Sequence, residues 1–116
     1  MRKIILLCFI CWPLLTLAKE KPLYFGVYTS DKPSDMVRKF KPLLDKLQQQ
    51  LNKRLQEPTT IKLKVLSSYE KGIKALVEGK VDFVRFGPAS YVLSVQQNPG
   101  ISLLAMESYK GQKTFK

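Results

Sequence analysis

Apolar positions along the chain switch between the two-residue repeat of a strand and the wider repeat of a helix. Pro22 to Tyr28 opens with strand character and carries aromatics at Tyr24, Phe25 and Tyr28. The cluster Thr29-Ser30-Asp31-Lys32-Pro33-Ser34 ends that strand with turn formers. From Ser34, the expected N-cap, Met36, Phe40, Leu43, Leu44, Leu47, Leu51 and Leu55 recur at helical spacing, with Gln49, Asn52 and most lysines off that face. Pro42 falls inside this pattern without the N–H its turn would use, which predicts a kink or a restart. Glu57-Pro58 breaks the helix, and Ile61-Lys62-Leu63-Lys64-Val65-Leu66 alternates as a strand. Ser67 to Glu70 fits a capping box for a second helix near Tyr69, with Ile73, Leu76 and Val77 as its buried face and Gly79 at its end.

The stretch from Lys80 to Val92 carries the most information. Val81, Phe83, Val84 and Phe86 suit a buried strand, Gly87 a turn where a Cβ would clash, and Pro88 the first position of a helix. The amides of Ala89, Ser90 and Tyr91 would then be unpaired beyond the carboxyl end of a strand, where open α/β sheets bind ligands and a helix favours anions. Thr29 and Ser30 follow the first strand at the same end of the sheet and offer hydroxyls, either to that site or to their own turn. Asp82 is expected to bond nearby backbone N–H groups, Arg85 to face away from Phe86 at the surface, and Tyr91 and Val92 to enter the core. The third helix ends before Asn98-Pro99-Gly100. Ile101 to Met106 is predicted as a fourth strand, with Thr114 and Phe115 starting another. The fold class is therefore α/β: one mainly parallel sheet flanked by helices, in the order β-α-β-α-β-α-β.

The first residues change the picture of where the protein works. Arg2 and Lys3 precede an apolar run from Ile4 to Leu17, and Thr16-Leu17-Ala18 places small residues where a signal peptidase reads. Residues 1–18 are thus expected to be a cleaved secretory signal, too short and too interrupted by Pro13 for a spanning helix. Both cysteines, Cys8 and Cys11, lie within it and histidine is absent, so the mature chain offers no thiol nucleophile, no thiolate metal site and no imidazole base. No catalytic set and no cofactor or metal site can be assembled, and an enzyme is not expected. Of the 20 basic residues two precede the cleavage point, leaving 18 against 9 acidic ones and a net charge of +9 on the mature part. Export and the scatter of the lysines argue against nucleic acid and for a basic solvated surface.

Several of these segments together resemble a known family. Leu23-Tyr24-Phe25-Gly26-Val27, Tyr69-Glu70-Lys71-Gly72-Ile73, Gly79-Lys80-Val81-Asp82-Phe83 and Phe86-Gly87-Pro88-Ala89-Ser90-Tyr91-Val92 resemble the phosphate/phosphite/phosphonate (PhnD-like) substrate-binding proteins of ABC importers. The resemblance runs from Pro22 onward. It implies one lobe of a type 2 periplasmic binding protein over residues 19–116, and a small phosphorus oxyanion as ligand. It also implies ligand contacts from Tyr69, from Phe86, and from Gly87, Ala89 and Ser90 at the helix opening. Where the family has tyrosine at the position of Phe86, its hydroxyl reaches the ligand, and Phe86 has none. The relatives have a second lobe that is absent from these 116 residues, which fits either a truncated chain or a natural half-protein.

Three functions stand open on this basis. The leading one is a periplasmic binding module delivering a phosphorus oxyanion to ABC importer membrane subunits, once a second lobe completes it. The others are the exported input domain of a signalling protein, and a remnant that binds nothing.

Overall fold

A computed structural model describes residues 20–28, 32–108 and 110–111. The expected signal segment, Thr29, Ser30, Thr114 and Phe115 lie outside the described residues. The elements are β1 (Lys21–Tyr28), α1 (Pro33–Leu55), β2 (Thr59–Leu66), α2 (Tyr69–Val77), β3 (Phe83–Arg85) and α3 (Pro88–Gln97). The strands form one parallel sheet in the order β2-β1-β3, so β1 is central and successive strands are added on opposite sides of it. In register, Phe25 and Val27 sit beside Leu63 and Val65 on one side and beside Phe83 and Arg85 on the other. The α/β class and the parallel sheet follow the sequence reading.

Side chains alternate across β1, and each face has its own helix. Phe25 and Val27 point to α1, where Met36, Phe40 and Leu44 join them in the core, backed by Ile61, Leu63, Val65 and Phe83. Gly26 and Tyr28 point the other way, toward α2. Lys62 and Lys64 also alternate away from α1, and the Lys64 ammonium lies 5.3 Å from the Tyr24 ring centre.

The buried stripe of α1 is narrower than its leucines suggest. Leu43 and Leu55 are exposed, while the buried line 36, 40, 44 advances by four residues. Continued by two more steps, that line reaches Gln48 and Asn52. The Gln48 side chain accepts from the Ile61 N–H at 2.7 Å, and that of Asn52 from the Thr59 N–H at 2.8 Å. One helix thus fills the core with its first turns and covers the start of the β2 edge with its last. An open edge pairs with other chains, so blocking these donors limits association there.

Five local expectations are corrected. The N-cap of α1 is Lys32, with Pro33 at the first turn and Ser34 already helical, and the helix runs through Pro42 without interruption. The cap of α2 is Ser68, whose hydroxyl accepts from the Lys71 N–H at 3.2 Å, one residue beyond the expected capping box. Residues 101–108 form no strand. Beyond half-buried Ile101 they are exposed, Leu103, Leu104 and Met106 included, since β3 presents only three residues of ladder to pair with. Val92 is exposed and Tyr91 half-buried, because α3 packs through the small residues Ser90 and Ser94 instead. Gly79 follows the end of α2 with φ 69°, as its placement predicts.

Candidate functional site

The carboxyl ends of β1 and β3 lie side by side, and α3 starts immediately beyond them. Asp82 fixes the entry to β3. Its carboxylate accepts from the Tyr24 N–H at 2.7 Å while its own N–H donates to the Tyr24 carbonyl at 2.9 Å. The expected bond to a backbone N–H is made, but across the sheet to β1 rather than within the local turn. Arg85 points to the α1 face, opposite Phe86. Its guanidinium lies 6.0 Å from the Phe40 ring centre and forms a bidentate pair with Glu107, one arm measuring 2.8 Å. Hydrogen bonding from Arg85 holds the Glu107 carboxyl below its ordinary value, and the same contact raises the guanidinium. Arg85 is therefore a structural cation on the far face of the sheet.

On the near face, Tyr28 gathers the residues singled out in the sequence. Its ring centre lies 4.3 Å from that of Tyr69 and 5.5 Å from that of Phe86, both tilted. Its hydroxyl accepts from the Gly87 N–H at 3.0 Å. Tyr69 and Phe86 both meet Tyr28, at the first residue of α2 and just beyond β3 respectively. Gly72 makes this possible. A Cβ there would lie 3.2 Å from the Phe86 ring and 3.3 Å from that of Tyr28, so any larger residue would crowd both rings.

Gly87 serves differently from what its sequence context suggested. Its φ of −77° and ψ of 166° are open to any residue, and a Cβ would meet the Tyr28 hydroxyl at an ordinary 3.5 Å. It is the N-cap of α3, with no side chain to cap the first turn. Pro88 has no N–H, and the Tyr91 N–H closes the first helical bond to the Gly87 carbonyl at 3.2 Å. The expected trio of free amides is thus reduced to Ala89 and Ser90, the turn's remaining donors without a helical partner. Ala89 is exposed. Ser90 is 5% exposed, and its carbonyl accepts from the buried Ser94 hydroxyl at 2.8 Å.

Tyr69 stands out at the rim, 62% exposed, with the tilted Tyr28 ring behind it. Tyr28 itself was legible in the sequence only as a strand aromatic. The signal that identifies it is alternation from Gly26: both point to the face that α2 covers, and Tyr28 ends the central strand. The assembled cluster offers neutral hydrogen-bond donors beside a helix N-terminus and an aromatic wall. Such an arrangement suits a small anion.

A family model described as "ABC transporter, phosphonate, periplasmic substrate-binding protein" matches residues 25–116, from within β1 to the last residue of the sequence. The match takes in every element described above except the first residues of β1, and with it the whole aromatic cluster and the opening of α3. The chain belongs to the family of periplasmic phosphonate substrate-binding proteins of ABC transporters.

Proposed function

We propose that residues 19–116 are the first lobe of an exported receptor that binds a small phosphorus oxyanion (phosphonate, phosphite or phosphate) and hands it to ABC importer membrane subunits. The observation that carries this reading is the convergence of Tyr69, Phe86 and the opening of α3 on Tyr28, at the carboxyl ends of parallel strands, in a chain of this family. Family membership implies a periplasmic setting, a small ligand and a transporter partner; the phosphorus oxyanion and its contacts are our assignment.

In this reading the amides of Ala89 and Ser90 and the hydroxyl of Tyr69 donate to ligand oxygens. Phe86 contributes a wall without a donor, and Thr29 and Ser30 belong to the loop at the same end of the sheet. The Ser90 side chain is buried in the α3 packing, so its backbone N–H is the relevant donor. A second lobe closing over the anion would add the remaining contacts, so the single lobe binds weakly.

NMR titration reads such weak binding. Methylphosphonate, phosphite or phosphate should shift the amides of Ala89 and Ser90, whereas glutamate and glucose should leave them in place. A hydrogen bond to a charged ligand is worth about 1.5–3 kcal/mol, so Tyr69→Phe should weaken binding by roughly tenfold to a hundredfold. Unchanged affinity would remove Tyr69 from the site. A lack of response to all three oxyanions would overturn the function itself.

A further inference from the structure

We infer that Tyr28 is a ligand-contacting residue of this site, a hydroxyl relay that carries the donor capacity of the Gly87 amide outward to the bound anion. The inference rests on the oxyanion reading above and adds a residue to it.

Position is the first argument. Tyr28 ends the central strand, opposite Leu66 in register, and its hydroxyl lies 3.0 Å from the nitrogen of Gly87, the N-cap of α3. The unpaired amides of Ala89 and Ser90 belong to the turn that this residue opens. An anion held by those amides therefore sits beside the same oxygen.

Hydrogen-bond bookkeeping is the second. A phenolic oxygen donates one proton and accepts through its lone pairs. At Tyr28 a lone pair receives the Gly87 N–H, and no acceptor among the described residues takes the hydroxyl proton. One donor enters the oxygen and one leaves it. The proton is held by a ring packed against both Tyr69 and Phe86, with Gly72 admitting it. Such a ring loses little freedom when it binds. Phe86 has no hydroxyl, so Tyr28 is the inner donor of the wall and Tyr69 the outer one.

The test uses the full chain, methylphosphonate as probe, and tyrosine labelled with ¹³C at Cζ. On titration the Tyr28 Cζ resonance should move and saturate together with the Ala89 and Ser90 amides. Tyr28→Phe keeps the ring and should weaken binding about tenfold or more, as expected for a lost hydrogen bond to a charged group. Equal affinity in Tyr28→Phe would overturn the assignment and reduce the hydroxyl to a structural link between β1 and α3. Should that variant fail to fold, the labelled parent decides alone: a Cζ signal that stays fixed while the two amides shift overturns the relay. If the amides of the parent do not respond, the oxyanion reading fails first and takes this inference with it.

Discussion

The two faces of β1 are built from different materials, although the residues that build them alternate along a single strand. Toward α1, Phe25 and Val27 are 6% and 2% exposed, and Phe25 meets Phe40 edge-on at 5.7 Å and Phe83 at 4.9 Å. This face is apolar bulk, and its role is to exclude water. Toward α2, Gly26 and Gly72 admit their neighbours closely, and Tyr28 places a hydroxyl between the sheet and α3. A Cβ on Gly26 would come within 2.8 Å of Val84. The contrast separates stability from recognition: one face holds the lobe together, and the other holds aromatic rings and amides in position.

The sharpest break of this contrast lies on the α1 face. Phe40 is 8% exposed and touches Phe25 across the sheet–helix interface. Phenylalanine-to-alanine changes in cores cost about 3–5 kcal/mol, a large part of the stability of any small domain. Phe40→Ala should therefore abolish cooperative urea unfolding followed by circular dichroism, or shift its midpoint strongly down. A midpoint close to that of the parent would show that this face does not carry the fold.

On the opposite face the expected effect is smaller in stability and larger in local geometry. Gly72→Ala gains about 1 kcal/mol of helix propensity, and overpacking costs about 1–3 kcal/mol. Tyr28 is tied to Gly87 and cannot easily yield, so the balance should be a net loss of about 1 kcal/mol. The ring resonances of Tyr28 and Phe86 should move well beyond those of Phe25 and Phe40, and methylphosphonate binding should weaken. Ring shifts spread evenly over both faces would deny that the two are separate.

How much of this was readable beforehand follows the same division. The strands and helices were legible because apolar periods of two and of about 3.6 are set by burial on one face, and the α1 core obeys that rule. The opening of α3 was legible because Gly87-Pro88 is a local signal. Tyr28 was not, since its partner Gly87 lies 59 residues away and is set by register, which no local pattern encodes. Asn52 reads as lying off the apolar face because polarity hides its place, and that of Gln48, on the line that continues the buried stripe of α1. Ser90 reads as a ligand donor and Val92 as core, whereas Ser90 and Ser94 are buried and Val92 is exposed, because hydrophobicity ranks a serine below a valine whatever the helix packing. The opposite error produced the expected strand at 101–106, where apolar residues are present but β3 is too short to pair them.

The smallest effect concerns the rim of the α1 face, where Arg85 ties residues 101–108 to β3 through Glu107. Hydrogen bonding from Arg85 lowers the Glu107 carboxyl, opposed by partial desolvation and assisted by the charges of Arg85 and Lys39. A carboxyl whose folded value is depressed contributes stability above its unfolded value, near 4.3 in model peptides, and loses it as pH falls through the folded value. The side chains are 49% and 59% exposed, so solvent screening limits the pair to less than about 1 kcal/mol. Glu107→Gln should therefore be slightly less stable than the parent near neutrality and equal to it in acid, below the folded value of the carboxyl. Added salt should narrow the gap at neutral pH. Hydrogen exchange at 102–108 should quicken in the variant at neutral pH, while exchange in β1 stays unchanged. A stability difference that persists unaltered from neutral pH into acid would mean that the ion pair contributes nothing, and that Glu107 acts through packing alone.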